Sequence, residues 1–286
     1  MLCFAPFGTR FRRRLNRNFA FAFSDMSGKL SNDYCQIEFL PKYAEHVAPC
    51  TLPTDTKDKE YAIVLQGPVL NEFTAETVKI YRKIFPKAAI IASTWKSTDE
   101  KLSDELKTLA DEVILSDPPE VPGVGNVNYQ VKSSYAGIRR AHELGIPYAV
   151  KTRVDQRIYN PIMFEYMKSL LEAYPLDSKY SQWQKERIIA LQGGGIAEHY
   201  YISDYFYFGT TQDLLNFFDF PPDPATIARV SRPDMLKRWN GNQGGPSLCF
   251  RPEVELLKSY IMRFGGGGAN QPSKISGTIS RSVSSS

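Results

Sequence analysis

The chain has 286 residues, 42% hydrophobic and 23% charged, the make-up of a soluble globular protein with material for one large α/β domain or two smaller ones. Its formal charge of +4 is concentrated: residues 1–24 hold Arg10, Arg12, Arg13, Arg14 and Arg17 and no acidic residue, so the remaining chain stands at −1. A near-neutral body excludes general nucleic-acid binding, which needs a broad basic surface.

In chain order, residues 1–30 mix those arginines with Phe4, Phe7, Phe11, Phe19, Phe21 and Phe23. Three readings stay open: a tail that lies on anionic lipid, a disordered leader, or a start assigned too early, with Met26 as the candidate true start. The polar, Pro-containing "TLPTDTKDKE" (51–60) reads as a linker. "YAIVLQ" (61–66), ended by Gly67-Pro68, reads as a buried strand. Residues 74–85 place Val78, Tyr81 and Ile84 or Phe85 at helical spacing and stop at Pro86. "AAIIAS" (88–93) is the next strand, residues 99–110 the next helix, and "EVILS" (112–116) a third strand. Residues 128–144 are helical again, with Gly145 as the stop, and "YAVKTR" (148–153) follows as a strand. The Gly/Ser-rich residues 265–286 have almost nothing to bury and read as a flexible tail. The expected organisation is an extension over 1–50, a linker over 51–60, a folded domain over 61–264 and the tail.

Strand–helix alternation of this kind predicts a doubly wound, mostly parallel sheet, with ligands beyond the carboxyl ends of the strands. Three polar clusters fall at such ends: Gln66-Gly67-Pro68, Ser93-Thr94-Trp95, and the charges around Asp155. In "YAVKTRVDQR", Lys151, Arg153, Asp155 and Arg157 share one face if the strand runs that far. They form either a surface ion-pair set or a site where a carboxylate holds a divalent cation and arginines meet phosphate.

Other chemistries lack their signatures. No G-x-G-x-x-G follows the first strand, and neither a P-loop nor a G-x-S-x-G elbow occurs. Gly123, Gly125 and Gly193-Gly194-Gly195 read as loop glycines. Of the three histidines, only His199 is placed near the prospective site. Cys3, Cys35, Cys50 and Cys249 show no C-x-x-C spacing and read as free thiols of a reducing compartment. No stretch approaches the ~20 apolar residues of a membrane span, and the N-terminus has no proper signal-peptide pattern. A cytoplasmic protein is expected, held at a membrane surface if the Arg10–Arg17 cluster meets anionic lipid.

The blocks "IVLQGPV" (63–69), "ETVKIYRKIFPKAAIIASTWKS" (76–97), "NVNYQVKSSYAGI" (126–138), "YAVKTRVDQRI" (148–158) and "YISDYFYFGTTQDLLNFF" (201–218) together resemble the WavE family. That family consists of lipopolysaccharide-synthesis proteins related to GT-A glycosyltransferases, and "RPEVELLKSYI" (251–261) is similar to its closing helix. The resemblance covers roughly residues 61–260. It implies a GT-A-like, Rossmann-like three-layer sandwich with a mostly parallel central sheet. It also implies a transferase acting on a nucleotide-sugar donor and a glycan or glycolipid acceptor, with Mg or Mn as cofactor.

Carried over by residue, the resemblance puts Asp155 in the place of the metal-binding aspartate of a D-x-D motif. Arg153 fills the first acidic position of that motif, a cation able to substitute for part of the metal's charge. Gln66 and Gly67 fall where GT-A proteins bind nucleotide, with Arg153 and Arg157 toward the diphosphate. Asn126, Asn128 and Gln130 match an N-x-N-x-Q segment that would contact ribose or donor sugar; Tyr129 stands where the family pattern favours Arg. Ser203-Asp204 matches an "SD" before an aromatic run, which makes Asp204 the expected acceptor-activating base. An aromatic setting predicts a raised pKa for it. Other readings remain beside these: Gln66-Gly67 as a turn, Asn126 and Asn128 as helix caps, Trp95 as core. At the level of function, the alternatives are a nucleotidyl or sugar-phosphate transferase and a non-catalytic glycan- or membrane-associated scaffold.

Overall fold

The computed structural model describes residues 40–51, 57–191, 200–225 and 252–264. The described residues from 43 onward belong to one compact unit, and the description below concerns it. The N-terminal arginine cluster, His199, Gly193–Gly195 and the Gly/Ser tail lie outside the described residues.

Strand β1 (Tyr61–Gln66) is apolar along its whole length up to Gln66 because both of its faces are covered; every residue in it is buried. Strand β2 (Ala89–Trp95) is likewise buried at every position. Between them α1 (Phe73–Ile84) turns Val78, Ile80, Tyr81 and Ile84 inward and ends before Pro86, which cannot continue a helix. Helix α2 (Glu100–Leu109) starts on an Asp99 cap whose side chain accepts from the Leu102 amide. It leads into β3 (Glu112–Ser116), a half-buried edge strand. Helix α3 (Val127–Glu143) follows, and Gly145, at φ 73°, supplies the left-handed residue that turns the chain into β4 (Tyr148–Arg153).

Beyond β4 come α4 (Met163–Ala173), the two-residue β5 (Ile189–Ala190), β6 (Phe206–Thr210), α5 (Thr211–Phe218) and α6 (Pro252–Phe264). Thr210 caps α5 by accepting from the Asp213 amide. The buried Asp213 carboxylate takes the Thr210 hydroxyl and the amides of Lys185 and Glu186, so α5 and the segment before β5 are fixed together.

The six strands lie in the order β3-β2-β1-β4-β6-β5. Strands β1 to β4 are parallel, whereas β6 runs antiparallel to both β4 and β5. Two apolar cores sandwich the sheet. On one face Ile63, Leu65, Ile90 and Phe208 meet α1, α2 and α4. On the other Val64, Ile91 and Tyr207 meet α3, α5 and α6. Each fully buried aliphatic or aromatic side chain stabilises the fold by about 1.5–3 kcal/mol. The three-layer α/β arrangement expected from the sequence is present. The antiparallel β6 is an addition that local pattern did not indicate.

Upstream of the linker read from the sequence, residues 44–50 are bonded to α1. The Ala44 amide donates to Glu76, Lys83 Nζ donates to the carbonyls of Ala44 and Val47, and the Cys50 amide donates to the Lys83 carbonyl. The Cys50 thiol is free.

Candidate functional site

In the order β3-β2-β1-β4 the chain builds outward from β1 in one direction and then returns to its other side. The reversal falls between β1 and β4, where an open α/β sheet places its ligand crevice. The carboxyl ends of these two strands carry Gln66 and Arg153, which stand opposite each other in the register.

At the end of β1, the buried Gln66 side chain turns toward α3, where its Oε1 accepts from the Ser133 hydroxyl at 2.7 Å. The Ser93 hydroxyl in turn donates to the Ser133 carbonyl, so β1, β2 and α3 share one polar link beneath the rim. Gly67 follows with φ 126°, and its amide donates to the Ser93 carbonyl. A Cβ on Gly67 would stand 3.3 Å from Val154 Cγ2, so both backbone conformation and close approach favour glycine.

At the end of β4 the ladder to β1 gains one more bond, from the Val154 amide to the Gln66 carbonyl. The chain then turns, with the Gln156 amide donating to the Arg153 carbonyl. This turn ends the shared strand face predicted for the four charges. Lys151 lies within the strand, Arg153 at its tip, and Asp155 on the turn. Arg157 reaches α1: Nε donates to Thr77 Oγ1 at 2.9 Å, Nη2 donates to the Phe73 carbonyl, and the guanidinium lies 3.9 Å over the Phe73 ring.

Arg153 joins what the sequence left apart. Its Nε and Nη2 fork onto Asp155 at 2.9 and 2.8 Å, while Nη1 donates to Asp204 Oδ2 at 2.9 Å. Asp204 is brought there by β6, whose antiparallel course starts at the rim where β4 ends. The Arg153 hydrogen bonds, before any other influence, lower the Asp155 pKa. The bond to Asp155 is the first cause holding the guanidinium's own pKa up. Asp204 thus meets a guanidinium rather than the purely aromatic surroundings that "YYISDYFYF" suggested.

Beneath the pair lies Lys151, fully buried, with Nζ donating to the Asp204 main-chain carbonyl and 5.5 Å from the centre of the Tyr207 ring. Burial pushes its ammonium down to about 8, against the opposing pull of Asp204, Glu253 and Asp155. Lys151 was visible in the charged run but not assigned a role. A lysine inside the strand, directly after the apolar residues 148–150, was the available signal.

The start of α3 holds the other candidates. Asn126 is exposed, in the left-handed region at φ 65°, and makes no side-chain cap bond. Asn128 is buried and clamps two segments: Nδ2 donates to the carbonyls of Val121 and Asp223, and Oδ1 accepts from the Asp223 amide. Asn126 stands at the N-cap position, but neither asparagine side chain caps the helix by a hydrogen bond. Gln130 Nε2 is buried without a hydrogen-bond partner among the described residues. Trp95 is buried at the end of β2, edge-on to Tyr129 at 5.2 Å, and belongs to the core beneath the rim. Ser203 is buried, its amide bonded to the Leu191 carbonyl.

Among the described residues, no group of three or more His, Cys, Asp and Glu side chains comes together as a metal centre. Among the same residues, no helix is long and apolar enough to cross a membrane.

The fold and rim define an α/β protein with a mostly parallel six-stranded sheet and a charged cluster at its topological switch point. The chain belongs to the WavE lipopolysaccharide synthesis family, whose model matches residues 61–223. That stretch takes in β1 to β6, α1 to α5 and every candidate site residue. Comparison with curated proteins found none that matches.

Proposed function

We propose that the protein is a glycosyltransferase of GT-A-like architecture that moves a sugar from a nucleotide-sugar donor to a glycan or glycolipid acceptor in lipopolysaccharide-type assembly. Family membership supports the biosynthetic setting. The reading of the site is carried by the placement of Arg153: a half-buried guanidinium at the carboxyl end of β4, beside β1, where the strand order reverses.

In this reading, Arg153 meets the diphosphate of the donor, with the exposed Asn126 and the Gln130 amide, which has no partner among the described residues, on the sugar or ribose side. The acceptor hydroxyl attacks the anomeric carbon. A new C–O bond forms, the bond from that carbon to the phosphate oxygen breaks, and the electron pair leaves with the nucleoside diphosphate. Positive charge aimed at that developing anion lowers the barrier. The hydroxyl proton goes to Asp204, whose Oδ1 is free of hydrogen bonds to the described residues. Gln66, Gly67 and Asn128 shape the crevice by holding α3 and the turns. The divalent cation implied by the resemblance does not fit the donor set, because Arg153 already spans the carboxylates of Asp155 and Asp204.

A thermal-shift screen with nucleotide sugars tests the proposal, since a ligand of the native state raises apparent stability according to its affinity. A shift with one donor, followed by release of free nucleoside diphosphate when acceptor is added, is expected. Release of pyrophosphate would reassign the reaction to nucleotidyl transfer. Absence of any nucleotide binding would overturn the enzyme reading in favour of a scaffold.

A further inference from the structure

We infer that Arg153 takes the place of a divalent cation at this rim, with Asp155 and Asp204 as its counter-ions rather than as metal ligands. The ligand named here, a nucleotide sugar, rests on the glycosyltransferase reading above. The donor set is the first support. Mg²⁺ demands six near-octahedral oxygens and Mn²⁺ favours the same hard ligands, with carboxylates free to coordinate. Here the two rim carboxylates are bound by one guanidinium through three hydrogen bonds of 2.8–2.9 Å.

Charge is the second. Lys151 and Arg153 bring two positive charges against the two carboxylates, so the cluster is balanced within itself. Lys151 also fixes the main chain that carries Asp204, through its bond to the Asp204 carbonyl. A cation entering between the carboxylates would have to displace Arg153 from both. Geometry is the third. A guanidinium has five N–H groups in a planar fork suited to phosphate oxygens. Three are committed here, leaving one on Nη1 and one on Nη2 without a partner among the described residues. With 37% of its side chain exposed, Arg153 offers these two to a ligand in the crevice.

The test is calorimetric titration of the full chain with Mn²⁺, alone and with the nucleotide sugar that the shift screen selects. No saturable Mn²⁺ binding beyond that of the nucleotide sugar's own diphosphate is expected in either case, and EDTA should change donor affinity by less than about two-fold. Arg153→Gln, which removes the charge but keeps a polar side chain, should lose at least ten-fold in donor affinity. The same variant, with both carboxylates released, should gain Mn²⁺ binding. Saturable Mn²⁺ binding to the wild-type chain that disappears in Asp155→Asn would overturn the inference. So would a ten-fold loss of donor affinity on adding EDTA. If no nucleotide sugar binds, the transferase reading fails by itself, and Mn²⁺ titration of the protein alone still decides the matter. In that case, saturable binding lost in Asp155→Asn counts against Arg153, and none counts for it.

Discussion

Arg153 Nη1 lies 2.9 Å from Asp204 Oδ2, a contact between residues 51 positions apart that makes the ends of β4 and β6 one electrostatic unit. Because the same guanidinium also grips Asp155, the two carboxylates are coupled through it. Asp155→Asn and Asp204→Asn should therefore be non-additive in donor affinity, with a coupling of about 0.5–3 kcal/mol in a double-mutant cycle. Additive effects would mean that the two acids act separately. Stability should respond little to Asp155→Asn, because its side chain is 60% exposed and exposed ion pairs contribute at most about 1 kcal/mol.

Lys151 should make stability depend on pH. Its folded pKa, pushed down to about 8, lies below the ordinary value of 10.5. Between those values the unfolded chain binds more protons, so this group's contribution to stability rises as pH rises from 8 toward 10.5. It falls away as pH drops to 8, and is flat below. The full difference amounts to about 3 kcal/mol at 1.36 kcal/mol per unit. Urea unfolding between pH 7 and 9.5 should show the upward slope in the wild-type chain and lose it in Lys151→Met. An unchanged slope in that variant would assign the titration to another group.

Arg157 should matter to the fold more than to the ligand. It pins the loop after β4 to α1 by hydrogen bonds to Thr77 and Phe73 and by lying on the Phe73 ring. Arg157→Ala should cost about 1–3 kcal/mol in unfolding free energy, with donor affinity in the surviving folded protein changed less than threefold. A large affinity loss at unchanged melting temperature would instead place Arg157 on the donor.

Residues 44–50 should contribute to stability although they precede the linker. Deleting residues 1–50 removes their bonds to Glu76 and Lys83, whereas deleting residues 1–42 keeps them. The shorter chain should be less stable by about 1–3 kcal/mol, read as a lower urea midpoint. Equal midpoints would show that this segment adds nothing.

The parallel half of the fold was legible because strands buried on both faces read as apolar runs, and Pro86 and Gly145 mark the helix ends. Strand direction leaves no such mark. "FYFGT" is equally apolar whether it runs with β4 or against it, so the antiparallel β6 and its delivery of Asp204 to the rim could not be read locally. The charged residues were visible, but their partners were not. An arginine looks the same in sequence whether or not it is bonded to a helix, as Arg157 is to the Phe73 carbonyl. The expected face shared by Lys151, Arg153, Asp155 and Arg157 ended at the turn after Arg153, where hydrogen bonding from Gln156 redirects the chain.

The reversed course of β6 has a topological consequence. A parallel strand presents its last residues at the rim, but an antiparallel one presents its first. The chain therefore leaves the rim after β4 and comes back to it just before β6, and the two points are locked by one guanidinium. The described part in between, α4 and the segment through β5 included, is an excursion whose ends are tied. Such an excursion tolerates lengthening at little entropic cost, roughly 0.6 kcal/mol per doubling. Insertions there would leave the spacing of Arg153, Asp155 and Asp204 intact, so this stretch is where the architecture can lengthen without disturbing its charged centre.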